Sequence, residues 1–381
     1  MKDDYQVMNQ PELSILLPNR GHMDYARETI RNILSIEDSR IELIINDNSL
    51  PEKLDYSEFL QDRRVRYFHE NEVLPMSENW AQAARRATGK WIVFIGADDG
   101  LFPQNIPKFL DILEKLDSDV LLTRSGIFSY QIGDVDPYIE TPLNPTKRTV
   151  SEIGFWFRCA ALFFTLRNPF LPMPYHRGVV RRSVINDLIL QSKKIPSISP
   201  DDFLGQFIAQ KCRSGLYLDE VIFIEGISDR SNGRSVAHNR ENPHWTEFVQ
   251  DSRPLLMGFM RGRSLECWPA LAIEHFLEAR RWQINRVSFV PKQFLKIWCS
   301  FSCFDVGHHG GFLFAHSRLT RRFLLNILLR SLRKAWTVRY FGLYNPFKNK
   351  RTYLPKGSTI FDAALKHLDT NPIQDEKTGR E

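Results

Sequence analysis

The sequence predicts an α/β fold in which helices flank a mainly parallel sheet. Short apolar runs alternate with stretches whose apolar residues recur at helical spacing, which is the pattern of repeated strand and helix units. Polar clusters follow three of the runs, at 18–20, 47–49 and 96–100. Because ligands bind at the carboxyl ends of parallel strands, these clusters indicate a binding site along one edge of the sheet.

The predicted elements follow one another from residue 13 to residue 224. Each strand is an apolar run bounded by turn-forming residues, and each helix places apolar residues three and four positions apart. Strands are predicted at 13–17, 41–45, 65–68, 91–95, 120–123, 177–180 and 216–224. The segment 128–174 is rich in proline and aromatic residues and is expected to form irregular loops. Beyond residue 235 the periodicity is helical, and no further strand is predicted.

The composition predicts a protein of the reducing environment of the cytoplasm. The five cysteines are scattered and lack the paired spacing of a zinc site. The N-terminal residues are polar and partly acidic, unlike a secretory signal. No apolar run reaches the roughly 18 residues that a membrane-spanning helix needs.

The net charge of +6 has a local origin. Eleven Lys or Arg residues and no Asp or Glu lie between Val306 and Phe361, whereas the rest of the chain has 40 basic and 45 acidic residues. A basic, aromatic-rich segment on a slightly acidic body predicts a surface for an anionic partner, either phospholipid or nucleic acid.

Asp98 and Asp99 are adjacent carboxylates at the end of the fourth predicted strand. Like charges this close repel each other unless a cation lies between them, and Mg²⁺ or Mn²⁺ prefers one or two carboxylates together with phosphate oxygens. Such an ion would neutralise charge on a leaving diphosphate. The alternative is a turn whose acids cap the helix after Pro103.

Several motifs in order resemble the family 2 glycosyltransferases. They are ELSILLPNR at 12–20, ELIINDNS at 42–49, Asn79 with Ala83 and Ala84, GKWIVFI at 89–95, and Asp98-Asp99 four residues before Pro103. The resemblance is clear over about 11–125 and fainter to about 235. It implies a GT-A fold, dependence on Mn²⁺ or Mg²⁺, and transfer of a sugar from a nucleoside-diphosphate donor with inversion at the anomeric carbon.

The resemblance also implies roles on the donor side. Asp47 would hydrogen-bond the nucleobase, with Pro18 and Arg20 in the same pocket and Asn79 nearby. Asp98 would face the ribose or the metal, and Asp99 would be the direct metal ligand. The family often has a further acid two residues before Asp98, where this chain has glycine. Turn and helix-cap chemistry is the alternative for 47–49.

Asp201 and Asp202 are the candidates for the general base. They open a predicted helix where the family carries an acidic motif, and helix amides can hold a carboxylate ionised there. Aligning the pair with a Glu-Asp form selects Asp202 as the base, whereas a shift of one position selects Asp201. The alternative is a pair of helix caps.

Three residues of one polar loop are further candidates. Arg230 and Arg234 could contact a diphosphate, because a guanidinium offers paired donors. His238 could reach the metal, as a histidine does in some relatives of the family, or be a surface residue.

The segment 318–344 interleaves apolar and basic residues so that most basic side chains fall on one side of a helix. This pattern predicts an interfacial helix on anionic lipid, with packing against the catalytic domain as the alternative. Nucleic acid is not expected as a partner. The expected location is the cytoplasm, with peripheral attachment to the inner face of the plasma membrane.

The domain organisation expected from these observations has four parts. They are an N-terminal tail (1–10), a catalytic domain (11–235) with nucleotide-sugar (11–125) and acceptor (126–235) halves, a helical, basic C-terminal region (236–369) and a flexible tail (370–381). The partners expected are a nucleoside-diphosphate sugar, with a UDP-sugar first, and a glycan or lipid-linked acceptor, in polysaccharide or lipopolysaccharide assembly. A non-catalytic sugar-nucleotide or glycan-binding protein is the alternative function.

Overall fold

The computed structural model describes residues 10–51, 54–142, 150–152, 171–212, 214–231 and 349–370, together with 275, 278, 279, 281 and 282. The strands are β1 Leu13–Asn19, β2 Ile41–Asp47, β3 Val65–His69, β4 Trp91–Phe94, β5 Gly100–Leu101, β6 Val120–Ser129, β7 Tyr138–Pro142, β8 Val150–Glu152, β9 Gly178–Arg181, β10 Leu216–Ile227 and β11 Asn349–Tyr353. The helices are α1 Met23–Leu34, α2 Met76–Arg86, α3 Ile106–Lys115, α4 Arg182–Gln191, α5 Pro200–Lys211 and α6 Ile360–Thr370.

The first four strands form the parallel half of the sheet, in the order β3, β2, β1, β4. Their register places Asn19 beside Asp47 and Asp47 beside His69, so these strands end at one edge. Strands β1, β2 and β4 are almost wholly buried because helices cover both faces of a parallel sheet. This half confirms the predicted α/β fold class and its alternation of strand and helix.

The other half of the sheet is mixed. Strand β9 pairs antiparallel with both β4 and β6, and β10 runs parallel to β6 on the opposite edge of that strand. The short strand β5 pairs with β10 immediately after the Asp98-Asp99 turn. The sequence predicted neither β5, β7 nor β8. Strands β5 and β8 have only two and three residues, too few to show a periodic pattern, and the five residues of β7 lie in the segment expected to form irregular loops.

The C-terminal segment 349–370 packs on the sheet and contains a strand where the sequence predicted none. Strand β11 pairs antiparallel with β7. Ile360, Ala363 and Ala364 of α6 are buried in a cluster with Phe102 and Phe128. The prediction of no strand beyond residue 235 was therefore wrong, because a polar edge strand such as NKRTY lacks the apolar pattern used to find strands.

Two larger hydrophobic clusters hold the helices on the two faces of the sheet. One includes Trp80 of α2 and Phe94 of β4, whose rings stack with centroids 4.2 Å apart. The other includes Ile30 of α1 and Phe109 of α3. Among the described residues, no helix is both long and apolar enough to cross a membrane. The predicted domain boundaries, and the interfacial helix at 318–344, stay predictions, and that segment lies outside the described residues.

Candidate active site

Two pairs of aspartates lie at one end of the sheet. Asp98 and Asp99 follow β4, and Asp201 and Asp202 begin α5. Tyr175 lies near both pairs. Burial, and then the charges of Asp99, Asp98 and Asp201, raise the pKa of its phenol. The structure therefore brings together the two acidic motifs that the sequence predicted to lie on the donor and acceptor sides.

Asp99 is a buried carboxylate held by backbone amides. Its Oδ2 accepts a hydrogen bond from the amide of Gly96 at 2.6 Å, and its Oδ1 accepts one from the amide of Gly226 at 2.8 Å. Burial, and then the charge of Asp98, raises the pKa of Asp99 well above its ordinary value. These bonds tie the turn to β10 rather than to the helix after Pro103, so Asp99 does not act as a helix cap.

Asp98 is more accessible and is held by hydroxyls. Its Oδ2 accepts hydrogen bonds from Ser228 Oγ at 2.7 Å and Ser231 Oγ at 2.6 Å. Its backbone carbonyl accepts one from the Tyr130 hydroxyl at 3.2 Å. Within the described part of the chain, Oδ1 of Asp98 accepts no hydrogen bond, so this oxygen is available to a ligand.

Gly226 explains how β10 approaches the acidic turn so closely. A Cβ at this position would overlap the carbonyl oxygen of Asp98, so only glycine fits. The sequence analysis missed Gly226, Ser228 and Ser231, although Ser231 belongs to the polar loop in which it placed Arg230. They lie about 130 positions from the aspartates, and only the pairing of β10 with β5 and β6 brings them there.

The oxygen donors fit a hard divalent cation at Asp98. One carboxylate oxygen plus diphosphate oxygens is an ordinary ligand set for Mg²⁺ or Mn²⁺. In the described part of the chain no three His, Cys, Asp or Glu side chains form a ready-made metal cluster. The sequence assigned the metal first to Asp99, but the geometry favours Asp98, since both Asp99 oxygens already bind amides. His238 and Arg234 lie outside the described residues.

Arg230 lies in the serine loop that holds Asp98. Its guanidinium lies 6.0 Å from the ring centroid of Tyr25, whose hydroxyl donates to Asp229 Oδ1 at 2.8 Å. Burial and the bond to Asp229 raise the pKa of Tyr25. The positive charge of Arg230 therefore lies on the side of the donor-side carboxylates. Its contact with a diphosphate stays a prediction.

The residues predicted for a nucleoside pocket divide into buried and accessible ones. Asp47 is wholly buried; its Oδ1 accepts from the amide of Ser49 at 3.0 Å, and its Oδ2 from the Tyr67 hydroxyl at 3.1 Å. Asn79 is buried and accepts from Asn46 Nδ2 at 2.6 Å. Both side chains brace the ends of β1 and β2, so a role for either in holding a nucleobase stays a prediction.

Pro18 and Arg20 are the partly exposed members of that predicted pocket. They flank Asn19, which lies beside Asp47 in the register of β1 and β2. The side-chain Nδ2 of Asn19 donates a hydrogen bond to the Tyr56 hydroxyl at 2.7 Å. This edge of the sheet is therefore rigid, and its accessible surface is supplied by Pro18 and Arg20.

Asp201 and Asp202 share the hydroxyl of Ser199. Its Oγ lies 2.8 Å from Asp201 Oδ1 and 3.2 Å from Asp202 Oδ2. Burial, and then the charge of Asp201, raises the pKa of Asp202 to about 7. Burial also raises the pKa of Asp201, but backbone amides of α5 and Ser199 oppose that shift. The amides therefore favour ionised Asp201, and the charge of Asp201 makes Asp202 the more basic carboxylate.

His176 is a buried residue that the sequence analysis missed. Its φ is 32°, a strained value for a residue with a side chain. Burial lowers its pKa to about 4, so the imidazole is neutral at pH 7 even though its Nδ1 lies 3.7 Å from Glu225 Oε2. The sequence indicated Tyr175 and His176 only through their position, directly before a predicted strand.

Comparison with known proteins finds a family similarity in the N-terminal part of the chain. The family model described as "Glycosyl transferase family 2" matches residues 14–171. An uncharacterized glycosyltransferase of Rickettsia conorii is 26% identical over 144 residues, and one of Rickettsia felis is 27% identical over 141. Each match covers 36% of this chain and 22% of the relative, so the shared part is about a fifth of those proteins.

Solved structures give weaker similarities. TarS 1–349 of S. aureus in complex with UDP-GlcNAc has a TM-score of 0.44 at 14% identity, covering 77% of this chain and 88% of TarS. The mannosyltransferase PcManGT from Pyrobaculum calidifontis, in complex with GDP-Man and Mn²⁺, has a TM-score of 0.40 at 13% identity, covering 77% and 85%. Both TM-scores lie below 0.5.

The matched segment contains β1 to β4 and the Asp98-Asp99 turn, which are the elements on which the resemblance in sequence rested. The predicted α/β fold class is confirmed by the strands and helices of this segment. Residues 14–171 of this chain match the model of glycosyl transferase family 2, and this segment is less than half of the chain.

Proposed function

We propose that the protein transfers a sugar from a nucleoside-diphosphate donor to a hydroxyl acceptor, with inversion at the anomeric carbon. The observation that carries this proposal is the pairing of two acidic sites in different environments. Asp98 and Asp99 are held by fixed donors at the end of β4, and Asp202 has a pKa raised to about 7 at the start of α5. The match of residues 14–171 to the family 2 model supports the reaction class.

The donor-side residues hold the leaving group. Asp98 would bind a divalent cation, Mn²⁺ or Mg²⁺, through its Oδ1, and the ion would neutralise charge on the leaving diphosphate. Ser228 and Ser231 fix the orientation of Asp98, and Asp99 fixes the turn by accepting two backbone amides. Arg230, from the same loop, adds positive charge on this side.

The acceptor-side residues remove a proton. Asp202 accepts the proton of the acceptor hydroxyl as the acceptor oxygen forms its bond to the anomeric carbon. The bond from that carbon to the diphosphate breaks in the same step, and the diphosphate leaves with the electron pair. A base with a pKa near the working pH is the effective choice, and burial together with the charge of Asp201 raises the pKa of Asp202 to about 7.

A single displacement is the reaction that a general base on the acceptor side supports. The acceptor attacks from the face opposite the leaving diphosphate, so the configuration at the anomeric carbon inverts. The resemblance to family 2 favours the same stereochemical outcome.

The proposal is tested by incubating the full chain with UDP-, GDP-, dTDP- and CDP-sugars and Mn²⁺ and measuring nucleoside diphosphate release. We expect release from one nucleotide class, with a UDP-sugar first, and an inverted anomeric configuration in the product by NMR. Binding of a nucleoside diphosphate without release from any sugar nucleotide, and with Asp202→Asn unchanged, would support the alternative of a non-catalytic binding protein.

We propose further that the acceptor is a glycan or a lipid-linked sugar in polysaccharide or lipopolysaccharide assembly. The basic and aromatic segment 318–344 would attach the protein to an anionic membrane, since every charge in it is basic. Co-sedimentation with phosphatidylglycerol vesicles tests this attachment, with phosphatidylcholine vesicles as the control. Equal binding to the two kinds of vesicle would contradict it. Undiminished binding to phosphatidylglycerol vesicles after Arg330 and Arg333 are replaced by Ser would also contradict it.

A further inference from the structure

The space above Gly96 is filled by oxygen atoms of other residues. A Cβ built on Gly96 would lie 2.8 Å from the Tyr175 hydroxyl, 2.8 Å from Asp99 Oδ2 and 3.2 Å from Asp98 Oδ1. Contacts below 3.0 Å force a neighbour to move. A side chain at residue 96 would therefore meet both the Tyr175 hydroxyl and the Asp99 carboxylate, so Tyr175 occupies part of the volume into which the family's further acid would project.

Tyr175 is held in that volume by backbone and ring contacts. The amide of Phe94 donates to the carbonyl of Pro174 at 2.7 Å, and Tyr175 forms a β-bridge with Phe94 at the end of β4. The ring of Tyr175 lies edge-on to Trp80, with centroids 5.4 Å apart. The side chain is half-buried, so its hydroxyl is presented to the site from a fixed position.

The hydroxyl of Tyr175 is bound to the donor-side pair of aspartates. It hydrogen-bonds Asp99, and its ring belongs to the chain segment that leads into β9 on the acceptor side. We propose that Tyr175 is a positioning residue that replaces the family's further acid. Its hydroxyl fixes Asp99 and the turn that carries Asp98. This inference rests on the proposed function.

The replacement has a clear electrostatic consequence. A carboxylate at residue 96 would put a third negative charge against Asp98 and Asp99, and a neutral donor puts none there. The hydroxyl can donate to Asp99, which a carboxylate cannot do. Asp98 then remains the one carboxylate of the turn with an oxygen open to a cation, because the described residues leave only its Oδ1 without a hydrogen bond.

Tyr175→Phe tests the proposal because it removes the hydroxyl and keeps the ring. Tyr217→Phe is the matched control, since Tyr217 is a buried tyrosine whose hydroxyl lies 3.3 Å from Arg124 Nε. We expect Tyr175→Phe to lower kcat about tenfold or more and to change the donor KM little, as misplacement of catalytic groups does. The control should keep kcat within about twofold of the unmodified chain.

A binding measurement separates positioning from simple loss of stability. Thermal shift with UDP and GDP should require about tenfold more Mn²⁺ for half its maximum in Tyr175→Phe, and unchanged Mn²⁺ in the control. Gly96→Asp should inactivate the unmodified chain by crowding.

Two outcomes would overturn the proposal. One is a Tyr175→Phe variant with unchanged kcat and Mn²⁺ dependence. The other is a Gly96→Asp variant as active as the unmodified chain, and this outcome can be measured even if Tyr175→Phe fails to fold. If the unmodified chain neither binds a nucleoside diphosphate nor releases one, the proposed function itself fails, which is a separate result.

Discussion

The two Asp-Asp pairs have the same composition and opposite surroundings. Asp98 accepts hydrogen bonds from two serine hydroxyls, and Asp99 accepts them from two backbone amides, at 2.6 to 2.8 Å. The Tyr175 hydroxyl adds a further bond to Asp99. Asp201 and Asp202 compete for one serine hydroxyl. The first arrangement orients charge, whereas the second leaves a carboxylate basic enough to take a proton. Environment, rather than residue type, gives each pair its role.

The largest expected effect is that of Asp202→Asn on turnover. An amide cannot accept the proton of the acceptor hydroxyl, so kcat should fall by about 10² to 10⁴. The measurement is steady-state release of nucleoside diphosphate in the presence of acceptor. A fall of less than about tenfold would mean that Asp202 is not the base and would direct attention to Asp201.

Asp201→Asn should have a smaller effect with a characteristic pH dependence. The charge of Asp201 raises the pKa of Asp202, so its removal should lower that pKa and move the acidic limb of the kcat profile to lower pH. The profile should be measured from pH 5 to pH 9. A limb that stays in place or moves to higher pH would show that the two carboxylates are not coupled as described.

The serines that hold Asp98 should matter less than the aspartates. Ser228→Ala and Ser231→Ala each remove one of two hydroxyls on Oδ2, so each should raise the Mn²⁺ concentration needed for half-maximal activity by a few-fold. The double variant should lose more than the sum of the two in free energy, because Asp98 then has no side-chain donor among the described residues. Additive effects would contradict a shared role.

The smallest effect concerns stability and has the opposite sign to the effect on activity. The folded pKa of Asp202 lies above its unfolded value, so its ionisation costs free energy as the pH rises through about 7. Asp202→Asn removes that cost, and its Tm relative to the unmodified chain should increase from pH 5 to pH 8. A Tm difference independent of pH would contradict the raised pKa.

The sequence was sufficient for the parallel half of the sheet and for the location of both acidic pairs. Runs such as 91–95 are wholly buried strands, and the polar residues after them lie where a parallel sheet binds ligands. Strand β11 was not predictable, because a polar strand at the edge of a sheet carries no periodic signal. Strand β9 was predicted, but its antiparallel pairing with β4 was not.

The partners of the aspartates could not be read from the sequence. Ser228, Gly226 and Tyr175 reach Asp98 and Asp99 only through strand pairing between segments far apart in the chain. The sequence also did not show which of the polar residues are buried. Asp47 lies in a sequence typical of an accessible turn, but Tyr67 and the turn at Ser49 enclose it. Geometry also changed the preferred metal ligand from Asp99 to Asp98.

The most direct test of the division between the two pairs is nucleoside diphosphate binding by Asp98→Asn and Asp202→Asn, measured side by side. Thermal shift with UDP, GDP, dTDP and CDP, with and without Mn²⁺, reports donor binding without turnover. We expect Asp98→Asn to lose the Mn²⁺-dependent shift and Asp202→Asn to keep it while losing transfer. Equal loss of the shift in both variants, or loss in Asp202→Asn alone, would contradict separate donor and acceptor roles.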